Sequence, residues 1–285
     1  MERFTLRIEE NAYGKINLAL DVLYKRDDGY HEINSIMQQI SLHDTVIIEE
    51  SGYGVKIECD NNLVPLDHTN LVHKAWEELA RLTGTKTGIK VKIHKNIPVA
   101  AGLAGGSSNG AAVLRGLNRM WGLGMTGREL MDIGAGIGAD IPFCVLGGTA
   151  LAGGIGEKLT SLKSFRDKHV LLANPGIGIS SAYAYSRLII QKNHRPMEPM
   201  LQCIENDDLD CLAEEMFNVF EAAIIPENPI IGEIKRTMEK NGALGALMSG
   251  SGASVFGLYD DFEKLEFAKK KLQDSIPYLF HVTTI

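Results

Sequence analysis

The sequence predicts an α+β fold, and three observations carry that prediction. Short runs of alternating apolar residues fill the first 60 residues. Later segments repeat apolar residues at helical spacing. The two kinds of element mix without the strict strand–helix–strand rhythm of a doubly wound sheet. Length agrees with two domains, since the chain has 285 residues and a domain commonly takes about 150. The polar stretch from Leu159 to Lys168 places the boundary, with an N-terminal domain over 1–160 and a C-terminal α+β domain over 161–285.

Phe4, Leu6 and Ile8 alternate with polar residues in a first strand, and Ile16, Leu18, Leu20 and Val22 do so in a second. On that second strand Lys15 and Asn17 fall on the face opposite Ile16 and Leu18. Asp27-Asp28-Gly29 is a turn signal, and strands over 46–48 and 55–59 continue the sheet. A helix is predicted over 70–82 from Leu71, Ala75, Leu79 and Leu82, with Thr69 or Asn70 to cap its start and Gly84 its end. Ile89, Val91 and Ile93 form a short strand with Lys90, Lys92 and His94 on its other face. After Ser108 a helix carries Val113, Leu114, Leu117, Met120 and Trp121 in one stripe. The next opens at Thr126, where Glu129 completes a capping box.

In the second half, 170–173 is a buried strand, and 180–191 and 208–225 are helical. Another helix covers 229–241, with Gly242 as its C-terminal cap. A glycine turn over 249–252, a strand over 253–259, a helix over 262–274 and a strand over 278–284 finish the chain. No fixed-period repeat is present.

Composition excludes whole classes. With 45% hydrophobic and 23% charged residues the chain is neither disordered nor a coiled coil. The formal net charge of −7 disfavours unspecific binding to nucleic acid or to anionic membranes. Met1-Glu2-Arg3-Phe4 lacks the apolar core of a signal peptide. The uncharged stretches over 96–114 and 241–259 are broken by Gly and Ser, which suits no membrane helix. A cytoplasmic protein is expected. Cys59, Cys144, Cys203 and Cys211 show neither a C-x-x-C pair nor a zinc spacing, and buried thiols are expected of them.

The 30 glycines exceed the roughly 7% of an average chain, and where they cluster they carry chemistry. The strongest segment is Pro98, Val99, Ala100, Ala101, Gly102, Leu103, Ala104, Gly105, Gly106, Ser107 and Ser108, lying between a strand and a helix. Its glycines let backbone N–H groups converge, its serines add hydroxyl donors, and the helix start adds a partial positive charge. Such a cradle suits a phosphate; a tight turn packing helix against strand is the plainer alternative. No Gly-Lys-Ser/Thr ends it, so it is not a Walker loop.

Gly134-x-Gly136-x-x-Ala139 nominally fits a dinucleotide fingerprint, but that needs a strand before it and a helix after it. Here the order is reversed, and the useful residue is Asp140, a carboxylate on a glycine-softened turn or a simple cap. Ser249 to Ser254 suits a bend, Lys15 a solvated strand lysine, and Tyr30-His31 a pair beyond a hairpin turn. The combination says more than any one of them.

Ala12-Tyr-Gly-Lys-Ile-Asn17, Pro98-x-x-x-Gly-Leu-x-Gly-Gly-Ser-Ser108 and Met248-Ser-Gly-Ser-Gly-Ala-Ser254, in that order, resemble the GHMP kinase superfamily of galactokinase, homoserine kinase and mevalonate kinase. Lys15-Ile-Asn17-Leu, Asp28-Gly-Tyr-His31, Gly138-Ala-Asp140-Ile-Pro142 and Gly154-Ile-Gly-Glu157 are similar to the branch that phosphorylates a cytidine-diphosphate-linked methylerythritol on a route to isoprenoids. The resemblance spans nearly the whole chain. It implies a two-lobed fold with the active site in the cleft between lobes. It implies ATP as phosphoryl donor on the 98–108 loop, with Mg²⁺ expected and its protein ligands unknown.

By position Asp140 matches the family's acid–base residue and Lys15 its catalytic lysine. Asn17, Tyr30 and His31 match the substrate side, where His31 hydrogen-bonds the cytosine edge. An aromatic stacker is expected after Asn174-Pro-Gly176, with Tyr185 the choice and Tyr183 the fallback. Asn109 stands where many relatives carry Asp, and Gly153 where Glu is common. The alternatives are another kinase of the superfamily, of homoserine or mevalonate type, and a nucleotide-binding regulator that has lost chemistry.

Overall fold

The structure, a computed structural model, describes residues 6–285. In chain order the elements are β1 (Arg7–Lys25), β2 (His31–Ser51), β3 (Val55–Cys59), α1 (Leu71–Thr83), β4 (Gly88–His94), α2 (Gly105–Met120), α3 (Gly127–Ala135), α4 (Ile141–Leu146), β5 (Thr149–Gly153), β6 (Lys158–Ser161) and β7 (His169–Asn174). There follow α5 (Ser181–Arg187), α6 (Glu198–Glu205), α7 (Leu209–Glu215), β8 (Phe217–Asn218), α8 (Glu221–Ile224), α9 (Pro229–Lys240), β9 (Gly245–Met248), β10 (Val255–Tyr259), α10 (Phe262–Leu272) and β11 (Tyr278–Thr283). The fold is α+β.

The chain forms two compact units. The first holds the described residues up to Gly14 with His43–Val99 and Ala104–Leu146; the second holds Lys15–Leu42, Ala100–Leu103 and Gly147–Ile285. The sequence places one boundary near residue 160, whereas the chain crosses between units several times. Each of the long strands β1 and β2 runs through both. A period of two fixes which face a side chain takes, but it carries no mark of where a strand passes from one core to another.

In the first unit β4 is antiparallel to β2, with Val46 opposite Ile93, and parallel to β3, with Ile57 opposite Val91. Val72 and Leu79 of α1 and Val113, Leu114 and Leu117 of α2 share one buried core with these strands. Burying each such side chain contributes about 1.5–3 kcal/mol. The helix ends follow the sequence closely. Asn70 caps α1 by accepting from Val72 N, Gly84 closes it in the left-handed region, and the Thr126–Glu129 capping box opens α3.

In the second unit β11, β7, β10 and β9 form an antiparallel sheet in that order. The first half of β2 pairs with β5, which turns back into β6, and β8 runs parallel to β1 at Ala19 and Leu20. No helix among the described residues is long and apolar enough to cross a membrane.

Several expectations change. The two strands expected near the N-terminus are one, β1, and Phe4 lies outside the described residues. Both faces of that strand are covered, so Lys15 and Asn17 are as buried as Ile16 and Leu18. The helix expected over 208–225 is interrupted by β8, because pairing with β1 and the hydrogen bonds of Asn218 outweigh local helix preference. The helix expected over 180–191 stops at Arg187, and β5, β6, β9 and α6 add to the prediction. Cys203 and Cys211, expected as thiols, are joined in a disulfide with Cα atoms 5.6 Å apart. The short link between α6 and α7 brings them together, a proximity that their spacing of eight residues did not signal. Cys59 and Cys144 form no disulfide; Cys144 is buried, as expected of it, whereas Cys59 is half-buried.

Candidate active site

The 98–108 segment is wound tightly. Ala100, Gly102 and Ala104 take positive φ values of 51°, 75° and 55°, which costs a non-glycine residue about 1–2 kcal/mol. A Cβ on Gly102 would stand 2.1 Å from the Ser249 carbonyl oxygen, so only glycine fits. The winding is held through carbonyls. Ala100 O accepts from Ile179 N at 3.1 Å, Ala101 O from Ser254 N at 3.3 Å, Gly102 O from Ser249 Oγ at 3.0 Å, and Leu103 O from Lys15 N at 3.1 Å.

The N–H groups have the opposite fate. Among the described residues, no backbone N–H from Ala100 to Ser107 donates a hydrogen bond within the protein. A run of unpaired donors that ends in a helix start is a ready anion site. The helix begins at Gly105 rather than after Ser108, so Gly105, Gly106 and Ser107 form its first turn. A Cβ on Gly106 would meet no protein atom within 4 Å. The serines divide. Ser108 is buried and donates to Tyr13 O at 2.7 Å, whereas the Ser107 hydroxyl has no partner among the described residues. Pro98 is buried and Val99 half-buried at the start of the loop.

Beneath the helix start lies a buried brace missed at sequence level. Asp44, fully buried, accepts from Lys95 Nζ at 2.7 Å, from Asn96 N and Ile97 N at 2.8 Å each, and from Asn109 Nδ2 at 2.8 Å. Burial pulls the Lys95 ammonium below its ordinary pKa, and the Asp44 charge opposes that. The arrangement accounts for Asn109, since an aspartate there would set a second carboxylate against Asp44. A polar residue within the apolar run of β2 was the available signal.

Lys15, in the second unit, is 5% exposed. Its ammonium meets one group among the described residues, Asn17 Oδ1 at 2.6 Å. Asn17 Nδ2 in turn donates to Ser35 Oγ at 2.8 Å, and Ser35 Oγ to Ala19 O at 2.6 Å. Asn17, expected at the substrate, is thus the group that aims Lys15. Among the described residues, two of the lysine's three N–H donors find no partner and no carboxylate meets its charge.

Asp140, in the first unit, is half-buried. Its main-chain oxygen accepts from Cys144 N at 3.1 Å and so starts α4. Its carboxylate makes no hydrogen bond or ion pair among the described residues, so it does not serve as a cap. The glycines before it end α3 without a preceding strand, which removes the dinucleotide reading.

Of the residues expected at the cytidine, Tyr30 is 60% exposed beyond the turn in which its N donates to Asp28 Oδ1 at 3.0 Å. That hydrogen bond, and Arg26 beside it, lower the Asp28 pKa. His31 opens β2 and stacks on Tyr185, with centroids 4.6 Å apart and planes 20° off parallel. Tyr185 also meets Phe220 edge-on at 4.9 Å. One face of the expected stacker is therefore covered by His31. Burial, and secondarily the charge of Lys25, lower the pKa of His31. Tyr183, the fallback, hydrogen-bonds Glu227, which also pairs with Arg187, and this ties it away from His31. Gly154-Ile-Gly-Glu157 is the turn between β5 and β6, closed by Ile155 N donating to Glu157 at 2.6 Å.

Comparison with known proteins shows the family. Residues 70–148 match the GHMP kinases N terminal domain, and residues 200–277 match the GHMP kinases C terminal domain. The 4-diphosphocytidyl-2-C-methyl-D-erythritol kinase of Acetivibrio thermocellus is 44% identical over 287 aligned residues, covering 100% of both chains. A crystal structure of 4-(cytidine 5'-diphospho)-2C-methyl-D-erythritol kinase superposes with a TM-score of 0.82 at 28% identity, covering 97% of this chain and 99% of that one. The homoserine kinase from Cytophaga hutchinsonii, at 17% identity and a TM-score of 0.79 over 100% and 96% of the two chains, shares the fold. The chain belongs to the GHMP kinases, within their 4-diphosphocytidyl-2-C-methyl-D-erythritol kinase family.

Proposed function

We propose that this kinase moves the γ-phosphoryl group of ATP to the 2-hydroxyl of 4-diphosphocytidyl-2-C-methyl-D-erythritol, with Asp140 as base and Lys15 as charge partner. The observation that carries the reading is the buried Lys15 ammonium, with no carboxylate against it among the described residues. Such a charge costs several kcal/mol unless something answers it, and a phosphoryl group does so. The acceptor oxygen bonds to Pγ while the bond from Pγ to the β–γ bridging oxygen breaks. The hydroxyl proton passes to Asp140, and ADP departs. Little beyond alignment and charge stabilisation is required of the protein.

The unpaired N–H groups from Ala100 to Ser107 hold the phosphates. Mg²⁺, when bound with ATP, neutralises β- and γ-phosphate charge. No three His, Cys, Asp or Glu side chains gather as ligands among the described residues. The Ser107 hydroxyl and the Asp140 carboxylate, neither partnered among the described residues, are the protein oxygens that would hold an ion that takes one or two of them beside substrate phosphates. His31 reads the cytosine edge, with Tyr185 and the exposed Tyr30 as its aromatic neighbours. The reaction belongs to the methylerythritol phosphate route to isoprenoid precursors, in the cytoplasm, on a small-molecule substrate.

The test is coupled ADP release with the cytidine diphosphate substrate against mevalonate and homoserine. Turnover confined to the first supports the reading, and turnover of either other alcohol at comparable kcat/KM replaces it. Asp140→Asn is expected to lower kcat by about 10²–10⁴ while affinity for a non-hydrolysable ATP analogue stays within a few fold. Retention of kcat within about threefold removes Asp140 from the role.

A further inference from the structure

Asn218 lies in β8, within the stretch whose sequence reads as helix. It is 6% exposed and its amide is fully engaged. Nδ2 donates to Met248 O at 2.7 Å and to Gly250 O at 2.8 Å, while Oδ1 accepts from Phe220 N at 3.0 Å. Glu221 grips the same turn by accepting from Met248 N at 2.8 Å. On its other side the turn grips the phosphate loop, through Ser249 Oγ to Gly102 O and Ser254 N to Ala101 O.

These bonds close a circuit. Leu103 O accepts from Lys15 N at 3.1 Å, and β1, which carries Lys15, is bound to β8 through Val219 N to Leu20 O at 3.0 Å. The route runs from Lys15 to the phosphate loop, to the 248–250 turn, to Asn218 and back along β1. Its other links are backbone bonds or the Ser249 hydroxyl, and among the described residues Asn218 alone joins β8 to both carbonyls of the turn. The position needs two donors on one short arm and an acceptor beside them, which asparagine supplies and aspartate does not.

We propose that Asn218 is a positioning residue for phosphoryl transfer, holding Met248 and Gly250 so that the turn sets the phosphate loop against the strand that carries Lys15. The proposal rests on the reading of that loop as the nucleotide cradle. It goes further by naming what fixes the cradle to the lysine.

The experiment compares the parent with Asn218→Asp and the milder Asn218→Ser, which retains one donor. It measures KM for ATP, calorimetric affinity for a non-hydrolysable ATP analogue, and amide exchange residue by residue. The expected result is a loss of analogue affinity of about tenfold with a matching rise in KM for ATP, and KM for the alcohol near the parent value. Exchange should quicken at Lys15 and Ser254, while amides in the β7–β10 pairing keep parent protection. Parent-like analogue affinity and parent-like exchange at Lys15 and Ser254 in a folded variant overturn the proposal. So does a uniform loss of protection across the β7–β10 pairing, which marks a merely structural residue. Failure of the parent itself to bind the analogue is a separate result: it brings down the cradle reading, and this proposal with it.

Discussion

The Lys95 side chain and Lys15 are both buried from solvent and are answered in opposite ways. The Lys95 side chain is 4% exposed, and its ammonium meets the Asp44 carboxylate at 2.7 Å and the Ile97 carbonyl at 2.5 Å. Lys15 is 5% exposed and meets one amide oxygen. Both side chains are buried, yet among the described residues only Lys95 has an opposite charge beside it. The contrast separates groups that hold the phosphate loop from groups left open to a ligand. Asp44, Asn109 and Ser108 belong with Lys95. Asp140, Ser107 and the N–H groups of the loop belong with Lys15.

The largest effect expected from this contrast is on stability. Lys95→Met leaves Asp44 buried without its counter-charge and should destabilise the protein by about 3–5 kcal/mol, read from the midpoint of denaturant unfolding. Lys15→Met removes a charge that nothing answers, so its midpoint should equal or exceed that of the parent. Equal losses in the two variants would erase the distinction.

Activity should reverse that order of injury. Lys15→Met is expected to lower kcat by about 10²–10³, the range found when one preorganised donor is removed from a developing charge. Lys15→Arg should not restore it, because the planar guanidinium cannot take the place of a compact ammonium on Asn17. Near-parent kcat in the arginine variant would reduce Lys15 to a general source of positive charge.

Much of the frame was legible in the sequence, and what was missed has a physical pattern. Local signals succeeded where the cause is local: the Asn70 cap, the Thr126–Glu129 box, the turn at Gly29 and the alternation of β4. They failed where the cause is distant. The helical reading of 208–225 gave way to a pairing with β1, nearly 200 positions earlier in the chain. Asn17 matched the substrate side by its motif, which carries no trace of the bonds its amide makes to Ser35 and Lys15. The Asp44 brace joins residues more than 50 positions apart, and the Cys203–Cys211 bond depends on how α6 meets α7. Residue types in a motif name the chemistry available. Which hydroxyl or amide is still free for it is decided by packing.

A finer effect tests the contrast inside the loop itself. At Gly102 a Cβ would collide with Ser249 O, whereas at Gly106 it would meet no protein atom. Gly102→Ala should therefore lower stability. Gly106→Val should leave stability near that of the parent and weaken a non-hydrolysable ATP analogue by roughly tenfold. Calorimetric binding with circular dichroism checks both. Unchanged affinity in a folded Gly106→Val protein would mean that this side of the helix start faces no phosphate.

The smallest effect concerns the base. Stacking tolerates any base, whereas a hydrogen-bonding edge discriminates, because the wrong base leaves buried groups unpaired. His31 is the group suited to that task. Burial, with Lys25 nearby, holds its pKa below the ordinary value, so at neutral pH it is uncharged and presents one donor and one acceptor. Its contact with Tyr185 at 4.6 Å fixes the plane of the ring. His31→Ala should shrink the preference for cytidine over a uridine analogue by a few fold in kcat/KM, leaving analogue affinity at the ATP side unchanged. The pH dependence has a definite sign. A lowered pKa means that the folded protein disfavours the protonated ring, so recognition by the neutral ring should be complete above the ordinary histidine value of about 6.5 and lost as pH falls through the lower value of His31. The parent's kcat/KM for the cytidine substrate should therefore be level from neutral pH down to about 6.5 and fall on further acidification, beyond any fall in affinity for a non-hydrolysable ATP analogue. In His31→Ala that extra acid limb should vanish. An unchanged cytidine-to-uridine ratio together with an unchanged acid limb would show that His31 serves to stack on Tyr185 and that the reading of the base falls to Tyr30 or to backbone groups.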